Sequence, residues 1–238
     1  RTPMAAPPSP SLPSALRLSL ALWLCVACAA ESGGRVPLAR FDGLAHRLDH
    51  LWVEQNDPVM GGRSSGGCAV NQSNASLVFY GEVRIVPALK APGFIHCSSS
   101  PRLLGHTFPD VSGCTGIAIT LRSTTDYDGF RLSFGNAHPK GGKFFAYGYK
   151  ATLDVKASSK FSEVEIPFKE FTDFWDDATG EPIKSCTAYP EYCPDATTLH
   201  DIRTLSIWAE GKLGTVALEV TAIDGYGCAA QELVAVAQ

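Results

Sequence analysis

The sequence predicts an all-β domain, a β-sandwich of the jelly-roll kind, and two observations predict it. Apolar residues recur with period two in one short segment after another, and turns bearing Gly or Pro separate those segments. Helical periodicity is nearly absent: only Arg40 to Leu51 has the pattern that a helix of any length needs.

The segments follow in order. Leu77 and Phe79 alternate with Val78 and Tyr80; Ile117, Ile119 and Leu121 with Ala118, Thr120 and Arg122; Phe130, Leu132 and Phe134 with Arg131 and Ser133. Tyr147/Tyr149 continues the series, then Val164/Ile166/Phe168 against Glu163/Glu165, then Ile202, Leu205 and Ile207, and finally Val216/Leu218/Val220. Between them stand Ala91-Pro92-Gly93, Tyr127-Asp128-Gly129, Lys140-Gly141-Gly142, Glu210-Gly211 and Leu213-Gly214, residues that favour chain reversal. Half-buried strands joined by tight turns make two packed sheets. No internal repeat or linker divides the domain.

Residues 1–30 read as a leader. Arg17 supplies the positive charge, Leu18 to Val26 the apolar stretch, and Ala27-Cys28-Ala29 the small-residue cleavage site of a signal peptide. The apolar stretch is shorter than the roughly 20 residues of a membrane span, so no span is expected after its removal. Residues 31–228 then form one β-sandwich domain, and 229–238 a short tail. Loss of Arg1 and Arg17 takes the formal net charge from −4 to −6, which argues against a nucleic-acid partner.

Six cysteines remain beyond the leader: Cys68, Cys97, Cys114, Cys186, Cys193 and Cys228. An even number behind a signal peptide favours disulfides. Cys186 and Cys193 close a small Pro- and Tyr-rich loop and are the firmest pair; the other pairings stay open. No C-x-x-C or His pair at ligand spacing survives beyond the leader, so neither a metal nor a cofactor is expected. Asn71-Gln72-Ser73 and Asn74-Ala75-Ser76 are adjacent glycosylation sequons.

Gly62-Arg63-Ser64-Ser65-Gly66 satisfies the G-x-S-x-G pattern of a nucleophile elbow. An elbow needs a helix after the serine, and Gly67, Cys68 and a polar stretch follow instead. A phosphate loop fails likewise, because the Lys-Ser/Thr end is missing. A structural turn remains: Pro58 restricts Asp57 to extended backbone, Gly61-Gly62 permit positive φ, and Asp57, Ser64 and Ser65 can satisfy the turn's own donors.

Trp52 to Gly66 closely resembles the signature of the complex I intermediate-associated protein 30 domain family, a tryptophan followed by N-D-x-V-M-G-G-x-S. Trp52, Asn56, Asp57, Val59, Met60, Gly61, Gly62 and Ser64 carry it. Leu77 to Gly81, Gly93 to Ile95, Val111 to Gly116, Val164 to Phe171 and Ile202 to Ile207 resemble later elements in order, so the likeness covers about residues 41–226. It implies a galactose-binding-like jelly roll and a non-enzymatic scaffold or assembly factor with a protein partner, located in a mitochondrion or plastid as in characterised members. The leader, the six cysteines and the insert near Thr179 to Thr198 depart from that pattern and point to the secretory pathway or the extracellular space.

The alternative is a secreted carbohydrate-binding jelly roll. Trp175, Tyr189 and Tyr192 lie in loop sequence and are its candidate stacking rings; Tyr147, Tyr149 and Trp208 lie on strands, where core packing is the commoner fate. The D-x-[DN]-x-[DN]-G calcium pattern is absent. No catalytic residue is assigned: histidines 46, 50, 96, 106, 138 and 200 are scattered, and Asp126/Asp128 and Asp176/Asp177 read as solvated loops.

Overall fold

A computed structural model describes residues 33–42, 50–101, 108–135, 148–176 and 179–229. The leader, Tyr147, three of the histidines (46, 106 and 138), Asp177 and the tail beyond Ala229 lie outside the described residues. Two antiparallel sheets face each other. The first runs β11 (Ser162–Pro167), β8 (Gly116–Ser123), β13 (Gly214–Cys228), β4 (Ser76–Val83) and β3 (Ser65–Asn71), with β1 (Gly34–Arg40) also paired to β13. The second runs β10 (Tyr149–Thr152), β9 (Phe130–Gly135), β12 (Thr204–Glu210), β7 (Phe94–Pro101) and β2 (His50–Asn56). A small hairpin, β5 (Ile85–Val86) with β6 (Ala91–Pro92), and one short helix, α1 (Ala196–His200), complete the described elements. The chain is the β-sandwich that its period-two patterning predicts.

That patterning decides which side chains meet. Successive residues of a strand point to opposite faces. Leu77 and Phe79, Ile117, Ile119 and Leu121, and Val216, Leu218 and Val220 line the inner face of the first sheet. Ile95 and Cys97, Phe130, Leu132 and Phe134, and Leu205, Ile207 and Ala209 line that of the second; all of them are buried in one core. Phe134 is the aromatic hub of this layer, with Phe171 at 4.8 Å and Phe168 at 5.8 Å between ring centroids.

Two elements differ from expectation. Arg40 ends β1, and His50 and Leu51 open β2, so these ends of the helical pattern are extended; residues 43–49 lie outside the described residues. Pairing of His50 to Asn56 with Pro101 to Ile95 across β7 overrides a weak local helical preference. Val164 and Ile166 lie on β11, but the strand ends at Pro167, and the buried Phe168 opens a 3-10 turn, Phe168–Glu170.

The six cysteines beyond the leader are all paired: Cys68 with Cys97, Cys114 with Cys228, and Cys186 with Cys193. Cys68 on β3 and Cys97 on β7 belong to different sheets, so this bond fastens the sandwich across its core. Cys228 ends β13, and its bond to Cys114 fixes the central strand to the loop before β8.

The closed loops differ in length, with separations of 114, 29 and 7 residues. If each bond acts mainly on the unfolded chain, removing one costs about 5, about 3.5 and about 2.5 kcal/mol in that order on the chain-entropy model. Paired Cys→Ala variants followed by urea denaturation measure this ranking. A Cys186/Cys193 variant that loses more than a Cys114/Cys228 variant would show that the insert's bond acts on the native state instead.

Candidate functional site

The stretch after β2 is organised by one carboxylate. Asn56 is extended, at φ −122° and ψ 162°, and Asp57 already belongs to the 3-10 turn Asp57–Met60. This corrects the expectation that Pro58 holds Asp57 extended: the turn's hydrogen bonds outweigh that steric preference. Gly61 ends the turn at φ +79°, a left-handed position that favours glycine, and the Gly61 and Gly62 amides donate to the carbonyls of Pro58 and Asp57. The side chains of Val59 and Met60 lie outside the described set.

The Asp57 side chain is buried and satisfied. Its Oδ1 accepts from the Ser64 amide at 2.8 Å; its Oδ2 accepts from the Ser64 hydroxyl at 2.5 Å and from the Phe94 amide at 3.1 Å. Ser64 Oγ in turn accepts from the Arg84 amide at 2.9 Å. Three separate chain segments therefore converge on two side chains. Asn56 adds a bond from Nδ2 to the Gly66 carbonyl at 3.0 Å, and Trp52 packs edge-on to Phe41 at 5.8 Å. The fit admits no extra atom: a Cβ on Gly93 would lie 1.5 Å from Asp57 Oδ2, and one on Gly62 2.1 Å from Oδ1. Ser65 lies on β3 with its side chain exposed, outside this set of bonds.

A second cluster lies on the outer face of the second sheet. Register places His96, Trp208 and Arg131 side by side, and Ser98, Ser206, Ser133 and Lys150 in the next such row. Thr172 bridges to Lys150 at the β10 edge, and the segment after it folds over this face. Lys150 Nζ lies 3.5 Å from the Trp175 ring centre and 4.1 Å from that of Trp208, and donates to Glu210 Oε1 at 2.6 Å. The Lys150 and Glu210 side chains are only 1% and 4% exposed. A buried ion pair of this kind is strongly destabilising to break, because either partner alone is an uncompensated charge. Arg131 donates to the Gly180 carbonyl at 3.2 Å and pairs with Glu181. Trp208 Nε1 donates to Ser133 Oγ at 2.8 Å.

His96 stacks on Trp208 at 3.7 Å, and neither ring nitrogen has a hydrogen-bond partner among the described residues. Burial, and after it the Lys150 charge, push the imidazole down to about 3 from its ordinary value. The face therefore has two buried cations, Lys150 and Arg131, each paired with a glutamate, and a neutral imidazole among tryptophans.

The remaining candidates lie in the insert and the segment before it. Trp175, expected as an open stacking ring, is buried, with Lys150 over its face and its Nε1 donating to the Gly148 carbonyl at 3.4 Å. A ring that a cation already covers cannot offer that face to a sugar. Tyr189 is 43% exposed and Tyr192 half-buried; they meet edge-on at 6.4 Å, and Tyr192 stacks on Phe174 at 5.2 Å. Lys184 Nζ approaches Tyr189 to 4.7 Å and Tyr192 to 5.1 Å. Cys186–Cys193 closes the loop that holds both tyrosines. Asn71 and Asn74 lie at the β3–β4 hairpin end, away from both clusters in the chain. Among the described residues no three His, Cys, Asp or Glu side chains are grouped to hold a metal ion.

Lys150, Glu210 and Arg131 escaped the reading of the sequence. Period-two alternation assigns Arg131 to an outer face, and Glu210 reads with Gly211 as a turn; charge is ordinary at both kinds of position. Only the cross-strand register and the placement of residues 172–176 and 179–181 reveal that they are buried.

The family model described as complex I intermediate-associated protein 30 matches residues 40–189, well over half of the chain. No curated protein matches at a significant level. Among solved structures, the chain is similar to the family 11 carbohydrate-binding module from Clostridium thermocellum in complex with a β-1,3-1,4-mixed-linked tetrasaccharide. That likeness has 16% identity and a TM-score of 0.49, covering 82% of this chain and 97% of that one. The family 11 module of the cellulosomal cellulase Lic26A-Cel5E of the same organism gives 15% identity and a TM-score of 0.47, covering 82% and 95%.

Two expectations follow from the geometry. Asp57→Ala leaves the Ser64 and Phe94 amides without their acceptor and is expected to cost about 2–4 kcal/mol; Gly93→Ala, through the clash, and Gly61→Val, through left-handed strain, also lower the melting temperature. Thermal melts test this, and an Asp57→Ala protein as stable as the parent would remove the carboxylate from the architecture. His96 has a depressed folded pKa, so its contribution is fully present above the unfolded value near 6.5 and is lost as pH falls towards about 3. Denaturation at a series of pH values should show His96→Phe losing roughly 3 kcal/mol less than the parent between neutral pH and about pH 4. Equal slopes for the two proteins would refute a buried, neutral His96.

Proposed function

The chain belongs to the complex I intermediate-associated protein 30 family, and we propose from that premise that it works by binding a protein partner, as a scaffold or assembly factor, with no reaction of its own. The observation that carries this reading is that the family match contains the whole Asp57 lock, whose polar groups are occupied within the fold. Asp57 accepts three hydrogen bonds, and Ser64 both donates to Asp57 and accepts from Arg84. A serine and a carboxylate engaged in this way serve to shape the domain, and recognition is left to its surfaces.

The three disulfides support an oxidising, secretory compartment over a reducing one. One observation favours a second reading, a secreted carbohydrate-binding module: the exposed ring of Tyr189 beside Tyr192 on the disulfide-closed loop is a shape on which a sugar face can stack.

The test is affinity capture of the tagged full-length chain from its own cells after mild cross-linking, with co-purifying proteins and glycans identified and the mature N-terminus sequenced on the same sample. A stoichiometric protein partner drawn from a partly built complex is the expected result. Recovery of polysaccharide or glycan with no cross-linked protein would overturn the scaffold reading in favour of the second, and Tyr189→Ala would then abolish retention. A mature terminus near Ala30 is expected for secretion; processing elsewhere by an organelle would refute the compartment.

A further inference from the structure

The β3–β4 hairpin carries the two sequons, and its geometry separates them. Asn71 is the last residue of β3 and pairs with Ser76, the first of β4. Its side chain is half-buried and folded back, with Oδ1 accepting from the Ser73 amide at 3.0 Å. Gln72, Ser73 and Asn74 are exposed, and Ala75 reverses the chain at φ +48°. Asn74 thus stands at the outer end of the hairpin, where a bulky group displaces no packing.

The hydroxyls of the two sequons differ more sharply. Ser73 is exposed, and a hydroxyl there costs the fold nothing. Ser76 is completely buried, and its Oγ has no hydrogen-bond partner among the described residues. A buried, unsatisfied hydroxyl destabilises a native state, whereas alanine at that position carries no such penalty. The folded domain therefore gives no reason for serine at position 76. The unfolded chain does: a hydroxyl two residues after asparagine is what the N-glycosylation machinery requires before folding.

We propose that Asn74 is an N-glycosylation site and that Asn71, where an attached glycan would have to fit against the half-buried end of β3 in the closed hairpin, is not, so that an N-linked oligosaccharide projects from the end of the β3–β4 hairpin. β3 is the edge strand of the first sheet, with β4 on one side. A glycan at the end of this edge blocks strand-to-strand association with a second chain. It also removes the hairpin end from the surfaces open to a partner. The assignment rests on passage through the secretory route proposed above.

The experiment uses the full-length chain behind a host signal peptide in a eukaryotic secretory host, so that entry into the pathway does not depend on the chain's own leader. Enzymatic glycan release in heavy-oxygen water, followed by peptide mapping, marks each occupied asparagine as a labelled aspartate. The expected result is a mark at Asn74 alone, lost in Asn74→Gln and in Ser76→Ala and kept in Asn71→Gln. A mark at Asn71, or at neither residue, overturns the assignment. Thermal melts separate the roles of the Ser76 hydroxyl: Ser76→Ala is expected to be at least as stable as Asn74→Gln, since both lack the glycan and only the latter keeps the buried hydroxyl. A Ser76→Ala protein that melts clearly below Asn74→Gln would show that the hydroxyl serves the fold and would sink the argument. The mature N-terminus of the protein from its own cells reports separately on the secretory reading, so failure of the route and failure of the site are distinguishable.

Discussion

The Asp57 carboxylate is the interaction on which the rest of this structure depends. β2 belongs to one sheet and β3 to the other, and the chain passes between them in the few residues that Asp57 organises. Its two oxygens bind the start of β3 through Ser64 and the start of β7 through Phe94, and Ser64 extends the connection to Arg84 beyond β4. A buried carboxylate without donors is costly; one with three donors from two segments, two from Ser64 and one from Phe94, specifies how those segments meet. The glycines at 62 and 93 follow from this, because the carboxylate occupies the space where their side chains would stand.

The two outer faces follow different electrostatic rules. On the first sheet, Arg122 pairs with Glu219, and Arg35 with Glu163 and Glu165; the latter set is exposed, and such pairs contribute little each. They keep the face solvated. On the second sheet, Lys150, Glu210, Arg131 and His96 are buried under the segment that contains Trp175 and Glu181. Burial makes each charge depend on its partner, so this face acts as a second, polar core, and the segment that covers it is held by charge and aromatic contact. The insert beyond it, with Tyr189 and Tyr192, is in contrast closed by its own disulfide and open to solvent on one ring.

What the sequence revealed divides along physical lines. Strands with one face in the core, such as Ile117 to Leu121 and Val216 to Val220, announce themselves, because burial of alternate residues writes period two into the chain. β2 and β3 do not. His50 to Asn56 mixes polar and apolar residues at an edge, and Ser65 to Asn71 holds two glycines and few apolar residues, so pairing with neighbouring strands decides their conformation. The Asp57 turn was legible as a turn because Pro58 and the glycines constrain backbone locally. Its partners Arg84 and Phe94 were not, since they meet it only through the tertiary fold. Lys150 and Glu210 show the same limit: sixty residues apart, they acquire meaning only through register.

β13 has one further implication. Its fifteen residues border β8 on one side and, on the other, β4 and then β1, so Gly34 lies opposite Cys228. The first and last described strands thus meet with Gly34 and Cys228 on neighbouring rungs of one ladder. Tension applied to both ends would act as an unzipping load, opening the β1–β13 rungs one after another from Gly34 instead of shearing them together. On the β13 side the Cys114–Cys228 bond stops that load at the first rung, because the pull is transferred covalently to the loop before β8. The pairing of these two strands is therefore built like a clasp, in which only β1 is mechanically exposed.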